Sequence, residues 1–169
     1  KKKGDSPPGF LLAQTDIAYV FDNSSFGIAS PMKGFRSRLQ IDRTYGEYNF
    51  YGALIDLRKY IYRKPFSFAM RGYYSGRFGT YSENTLYPMY ISYPWFVRGY
   101  DRTSFYESST LNNGYVTVNQ LRGSQILVAN FEIRLPFTGP ERLTVLKSNF
   151  FYTELALFAD AGVAWDSQN

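Results

Sequence analysis

The sequence predicts an all-β protein. Apolar and polar residues alternate with period two in six stretches of about 10 to 15 residues, and no helical period of useful length competes with them. Aromatic residues make up 20% of the chain, nearly all of them Tyr (16) and Phe (15), a composition that suits pleated strands meeting something apolar.

The strands follow in order. In "LLAQTDIAYVF", Leu11, Ala13, Thr15, Ile17, Tyr19 and Phe21 form one face, and Gln14, Asp16, Ala18 and Asp22 fall on the other. "GFRSRLQIDR" sets Phe35, Leu39 and Ile41 against Arg36, Arg38, Gln40 and Asp42. "YNFYGALIDLRKY" sets Tyr51, Ala53, Ile55 and Leu57 against Gly52, Asp56, Arg58 and Tyr60. In "PFSFAMRGYYSG", Phe66, Phe68 and Met70 oppose Ser67, Arg71 and Tyr73. "SQILVANFEIRLPF" opposes Leu127, Ala129, Phe131, Ile133 and Leu135 to Asn130, Glu132 and Arg134. In "YTELALFADAGVAW", Leu155, Leu157, Ala159, Ala161, Val163 and Trp165 oppose Glu154, Asp160 and Gly162.

The connections are uneven. Residues 45–49 and 62–65 read as tight hairpins, and "NSSFGIASPMKG" and "FTGPERLTVLKSN" as medium turns. From about Gly79 to Arg122 the sequence predicts a single long loop, far beyond hairpin length, with an Asn-Gly turn signal in "LNNGY", Leu111 to Tyr115.

With no Cys and no His, the chain lacks disulfides, thiol nucleophiles, zinc-type N/S sites and every His-based triad. No catalytic residue, metal or cofactor is expected. The formal charge of +5 is modest. The opening "KKKGDSPPG" reads as a solvated basic lead-in, since Gln14, Thr15 and Asp16 break the apolar run that a secretory signal would need. Nucleic acid is not an expected partner, because the aromatics fall on the apolar parity and not among the arginines.

Alternation alone fits a soluble sandwich, apolar face inward, or a membrane barrel, apolar face outward. Three features favour the barrel. The alternating stretches are long enough to cross a bilayer at a tilt. Aromatics recur near strand ends (Tyr19, Phe21, Tyr51, Phe66, Tyr74, Phe150, Phe151, Tyr152, Trp165), as interfacial girdles do. The polar face carries Arg, Asp and Gly, which fits a watery lumen. Six strands do not close a membrane barrel, for which about eight is the practical minimum, and an open edge in lipid leaves backbone groups unsatisfied. The expectation is therefore a segment, residues 1–169, of a larger antiparallel transmembrane barrel, with the loop at about 80–121.

"FVRGYD" at the tip of the long loop, then "GSQILVANFEIRLPF", then "LFADAGVAW" resembles, in this order and spacing, the C-terminal barrel of the bacterial surface antigen superfamily. This is the family of BamA-type outer-membrane assembly factors and two-partner secretion transporters. The resemblance covers Pro94 to Trp165 well and the remainder by pattern. It implies a 16-stranded outer-membrane barrel whose sixth extracellular loop carries a Val-Arg-Gly-Phe/Tyr motif folded into the lumen, here Val97, Arg98, Gly99 and Tyr100. A later strand of the family carries Phe-x-Asp-x-Gly, matched by Phe158, Asp160 and Gly162. The strand between offers a Glu before an apolar-Pro ending, matched by Glu132, Leu135 and Pro136. By the same resemblance the six strands read as the eighth to the thirteenth, with the last strands and the N-terminal periplasmic domains absent. "FYGALIDLRKYIYRKPFSFAMRG" and "YPMYISYPWFVRGYD" look like barrels fused behind a TolB-like β-propeller, which would make the missing part a propeller and not POTRA domains.

The residues also support a physical reading of their own. Glu132 and Asp160 share the lumen-facing parity on strands joined by one turn, so a forked guanidinium entering from the loop can bridge both, as Lys cannot. Gly99 permits a tight turn at positive φ, and Gly162 leaves room on the wall. Arg36, Arg38, Arg58 and Arg71 form a basic stripe that either pairs with Asp42 and Asp56 to hold the wall or lines a conduit for anionic substrate. A glycosidase-type role for Glu132 and Asp160 finds no sugar-binding cleft in the sequence. What the resemblance implies is not an enzyme. It is an outer-membrane barrel that inserts or exports protein, with outer-membrane lipid, unfolded or secreted proteins and accessory subunits or a periplasmic domain as partners. The alternative is a barrel that anchors a periplasmic domain or passes a small solute.

Overall fold

The computed structural model describes residues 11–79, 82, 88–99 and 121–166. It is all-β. The elements are β1 (Leu12–Asp22), β2 (Ser25–Phe26), β3 (Pro31–Gly46), β4 (Phe50–Arg63), β5 (Phe66–Phe78), β6 (Met89–Tyr90), β7 (Arg122–Gly123), β8 (Gln125–Gly139), β9 (Leu146–Lys147) and β10 (Thr153–Trp165). The six long strands make one sheet in the order β1-β3-β4-β5-β8-β10, every neighbouring pair antiparallel. Chain order and sheet order coincide, so the sheet is an up-and-down meander, open at β1 and β10 among the described residues.

The short pieces correct the reading of the connections. Within the long loop β6 pairs with β7, and Ile91 N–H donates to Leu121 O at 3.0 Å. The stretch read as a medium turn before the second strand holds β2 and the start of β3, and the turn after β8 holds β9, parallel to the end of β8. Two-residue bridges carry no periodicity, so alternation does not reveal them.

Register fixes which residues share a face. Asp22, Arg36 and Arg58 lie in one row, as do Arg38, Asp56 and Tyr73, and as do Ala69, Glu132 and Phe158. One face therefore collects the polar parity of every long strand. All strand carboxylates (Asp16, Asp22, Asp42, Asp56, Glu132, Glu154, Asp160) are on it. The opposite face is apolar, and the described residues leave it uncovered. Ile17 is 83% exposed, Ile41 68% and Leu157 71%, with Ile55, Leu57, Met70, Leu127, Phe131, Leu155 and Val163 also open. The described residues bury their main apolar cluster (Ile91, Val97, Leu121, Ile126, Val128) on the polar-parity side, where the long loop lies against the sheet. The usual disposition of a soluble sheet is reversed.

Candidate functional site

Residues 88–99 of the loop lie across β5, β8 and β10. Tyr93 stacks on Trp95, with ring centroids 4.5 Å apart and planes at 6°, and Phe96 packs on Tyr73 at 4.8 Å. Backbone carbonyls are held from the wall: Arg71 Nη1 donates to Trp95 O at 2.9 Å, and Asn130 Nδ2 to Phe96 O at 2.7 Å. Val97 is 5% exposed and rests over Gly162. A Cβ at Gly162 would come within 2.9 Å of Val97 Cγ2, so only glycine lets the loop come this close. Gly99 follows with φ of 85°, the left-handed region that turns the chain after the arginine.

Arg98 occupies the centre. Its Nε donates to Asp160 Oδ2 at 2.7 Å and its Nη2 to Asp160 Oδ1 at 2.8 Å, while Nη1 meets Glu132 Oε1 at 2.5 Å. The Arg98 backbone N–H adds a bond to Asp160 Oδ2 at 3.0 Å, and Asn130 Nδ2 donates to Asp160 Oδ1 at 2.8 Å. Phe158, in register with Glu132, places its ring centroid 3.8 Å from the guanidinium carbon. The hydrogen bonds to Asp160, and then to Glu132, hold the guanidinium protonated well above its ordinary range against the opposing effect of burial. A fork that engages two carboxylates and stacks on a ring is chemistry specific to arginine.

Burial decides how much this matters. The Asp160 side chain is 2% exposed and that of Glu132 17%. Removing the cation partner of a desolvated carboxylate costs about 3–5 kcal/mol, whereas an exposed pair is worth about 0–1 kcal/mol. With the Asp160 carboxylate covered and the Arg98 guanidinium about a third exposed, the pair lies between these limits, so the loop is fastened by its arginine.

The basic stripe divides. Arg58 and Arg71 both fork onto Asp56, with Arg58 Nη2 at 2.7 Å and Arg71 Nη2 at 3.0 Å from Oδ2. Arg36 pairs instead with Asp22 at 2.8 Å, both about 40% exposed, and Arg38 donates to Gln40. Asp42 takes none of these four; its carboxylate lies against Gly52, where a Cβ would collide with it. The expected pairing with Asp42 is therefore corrected. In the antiparallel register Asp42 faces Asp16 and Gly52, while Asp22 lies directly opposite Arg36.

Tyr100 and the Asn-Gly turn at Leu111 to Tyr115 lie outside the described residues. The sequence reading missed Asn130 and Arg134 as parts of the site, although both share the parity of Glu132. Among the described residues, no group of Asp or Glu is placed to hold a metal ion. No family model matches the chain, and no curated protein matches it.

Proposed function

We propose that this chain is part of the wall of a transmembrane β-barrel in the bacterial outer membrane, belonging to a factor that inserts or exports proteins. The single observation that carries the reading is the reversal of faces: the described residues leave the apolar face of the sheet uncovered, while a loop fastened through Arg98 covers the polar face. On the apolar face the charged residues sit toward the strand ends. Arg43 and Lys59 bracket the uncharged outward residues of β4, from Tyr51 to Leu57. From Tyr51 to Lys59 at about 3.3 Å per residue is about 26 Å of strand. Tilted by about 40°, that spans a height of about 20 Å, close to the apolar band of outer-membrane barrels. Arg43 lies over the Tyr51 ring at 3.8 Å, an amphipathic pairing suited to the interface.

In this reading β1 and β10 continue into further strands, which satisfies their open edges in lipid. The fastened loop braces the part of the wall formed by β5, β8 and β10. A seam elsewhere in the barrel would admit substrate strands by edge pairing. The motif resemblance to the surface antigen superfamily supports the assembly or export role.

The test is depletion of the full-length protein in its own cells, with fractionation. The proposal expects the protein in outer-membrane fractions and a fall in the folded levels of other outer-membrane or exported proteins. Recovery in the soluble fraction without detergent overturns the membrane reading. Outer-membrane residence with unchanged levels of those proteins, together with single-channel conductance, overturns the assembly role in favour of an anchor or solute pore.

A further inference from the structure

At the end of the sheet remote from the long loop, residues 24–34 leave the plane of the sheet. Asn23 and Phe35 still bridge β1 and β3: Asn23 N–H donates to Phe35 O at 3.1 Å, and Phe35 N–H to Asn23 Oδ1 at 2.7 Å. Beyond them the chain forms its own small hairpin from β2 and the start of β3, closed by Gly27 N–H to Ser30 O at 2.8 Å. The pairing of β3 with β4 starts only at Gly34, whose φ of 117° makes the bend. A side chain at Gly34 would strike Asn23 O at 2.5 Å.

The hairpin reaches strands well removed from β3 in the sheet. Ser67 of β5, fully buried, donates weakly to Met32 O at 3.5 Å. Arg134 Nη1 of β8 donates to Pro31 O at 3.3 Å. Ser30 Oγ donates to both oxygens of Glu154 on β10, at 2.9 and 3.0 Å. Ile28 lies against Gly139, where a Cβ would stand 2.7 Å from its Cδ1. Met32 is 5% exposed, and Pro136 beside the site is fully buried. The Met32 side chain folds over Gly27 of its own hairpin, and the contacts to β5, β8 and β10 satisfy a half-buried carboxylate, which a swinging surface turn would not do.

We infer that the polar wall carries a second docking site, formed by Ser67, Arg134, Gly139 and Glu154, whose occupant is this chain's own 24–34 hairpin. We also infer that Arg134 couples it to the Arg98 loop. Glu132 is the shared element: Oε1 takes Arg98 at 2.5 Å and Oε2 takes Arg134 Nε at 2.6 Å. Arg134 in turn faces Glu154 at 4.0 Å and reaches the hairpin backbone. The line Asp160, Arg98, Glu132, Arg134, Glu154, Ser30 thus alternates charge from the loop to the hairpin. All of its charged members are less than about a third exposed. Loss of Arg98 frees Glu132 to draw Arg134 away from Pro31 and Glu154, and so loosens the hairpin. The two inward segments cover the same wall from opposite ends.

This chain has no cysteine, so a single reporter thiol can be placed in it within the full-length protein, any cysteine elsewhere being replaced by serine. The probe is a hydrophilic maleimide reacting with Met32→Cys on the buried side of the hairpin, or with Ala29→Cys at its exposed tip. The thiol at position 32 should react at least about tenfold more slowly than that at position 29, the signature of a protected segment. Arg134→Ala should bring the position-32 rate close to that of position 29, and Arg98→Ala should raise it by about threefold or more. Arg36→Ala, whose ion pair lies outside the line, should leave it unchanged. Equal rates at the two positions without further substitution overturn the docking site, and no response to Arg98→Ala overturns the coupling. Should Arg134→Ala fail to fold, Ser30→Ala removes only the hydroxyl link to Glu154; an unchanged position-32 rate in that variant overturns the site as well.

Discussion

Ile55 and Asp56 are consecutive residues on the same central strand, and the molecule treats them in opposite ways. The apolar Ile55 is 39% exposed, while the Asp56 side chain is 13% exposed and held by Arg58 and Arg71. The contrast extends over the sheet: one face shows uncovered aliphatics and aromatics, the other packs its charges beneath a loop and a hairpin. A protein in water gains about 25 cal/mol for each Å² of apolar surface it covers, so a sheet that leaves this face open must cover it with something outside the described residues. Substitutions on the two faces should therefore differ in cost and in the medium that reveals it.

The largest effect is expected within the cluster on the polar face. Arg98→Glu places a third carboxylate against Asp160 and Glu132 and should lower stability by at least about 3–5 kcal/mol, read from urea unfolding followed by tryptophan fluorescence. Asp160→Arg alone should be similarly harmful. The double exchange should recover part of the loss, and a double variant no better than either single one would refute direct pairing. Next comes the apolar face. Ile55→Arg should cost about 2–4 kcal/mol when the protein is folded into lipid vesicles, because the site lies midway between Arg43 and Lys59. A cost below about 0.5 kcal/mol would mean that this face meets water.

Gly162→Val should follow, at about 1–3 kcal/mol, since the added carbons push Val97 and Ile91 off the wall. Its distinguishing readout is proteolysis of the long loop, which should quicken while the strands stay protected. The smallest effect belongs to Arg36→Ala. Its pair with Asp22 is exposed on both sides, so the change should fall within about 1 kcal/mol and shrink further in high salt. A loss as large as that of the Arg98 variants would show that exposure is a poor guide to strength on this face.

Much of this contrast is legible in the sequence, and the limit is physical. Ile55 and Asp56 differ in parity, and parity is a local property of an extended chain: every second side chain points the same way. The same rule put Glu132, Asp160 and Gly162 on one face. Pairing is not local. Arg36 finds Asp22 and not Asp42 because the two strands align antiparallel with Asp22 opposite Arg36. Asn130 and Arg134 could be assigned a face from the sequence, but not a partner, because their partners Phe96, Pro31 and Glu132 are brought in by the loop, the hairpin and a neighbouring side chain.

The class of structure, the six long strands and the two chemical faces follow from alternation and composition along the chain. The sequence also contained the arginine, the two carboxylates and the two glycines that the site uses. It took the folded chain to turn residues 24–34 inward at Gly34 and to have one glutamate serve both Arg98 and Arg134. Those outcomes depend on register and on which segments fold over the wall. Each of these joins residues far apart in the chain, where no periodicity reaches.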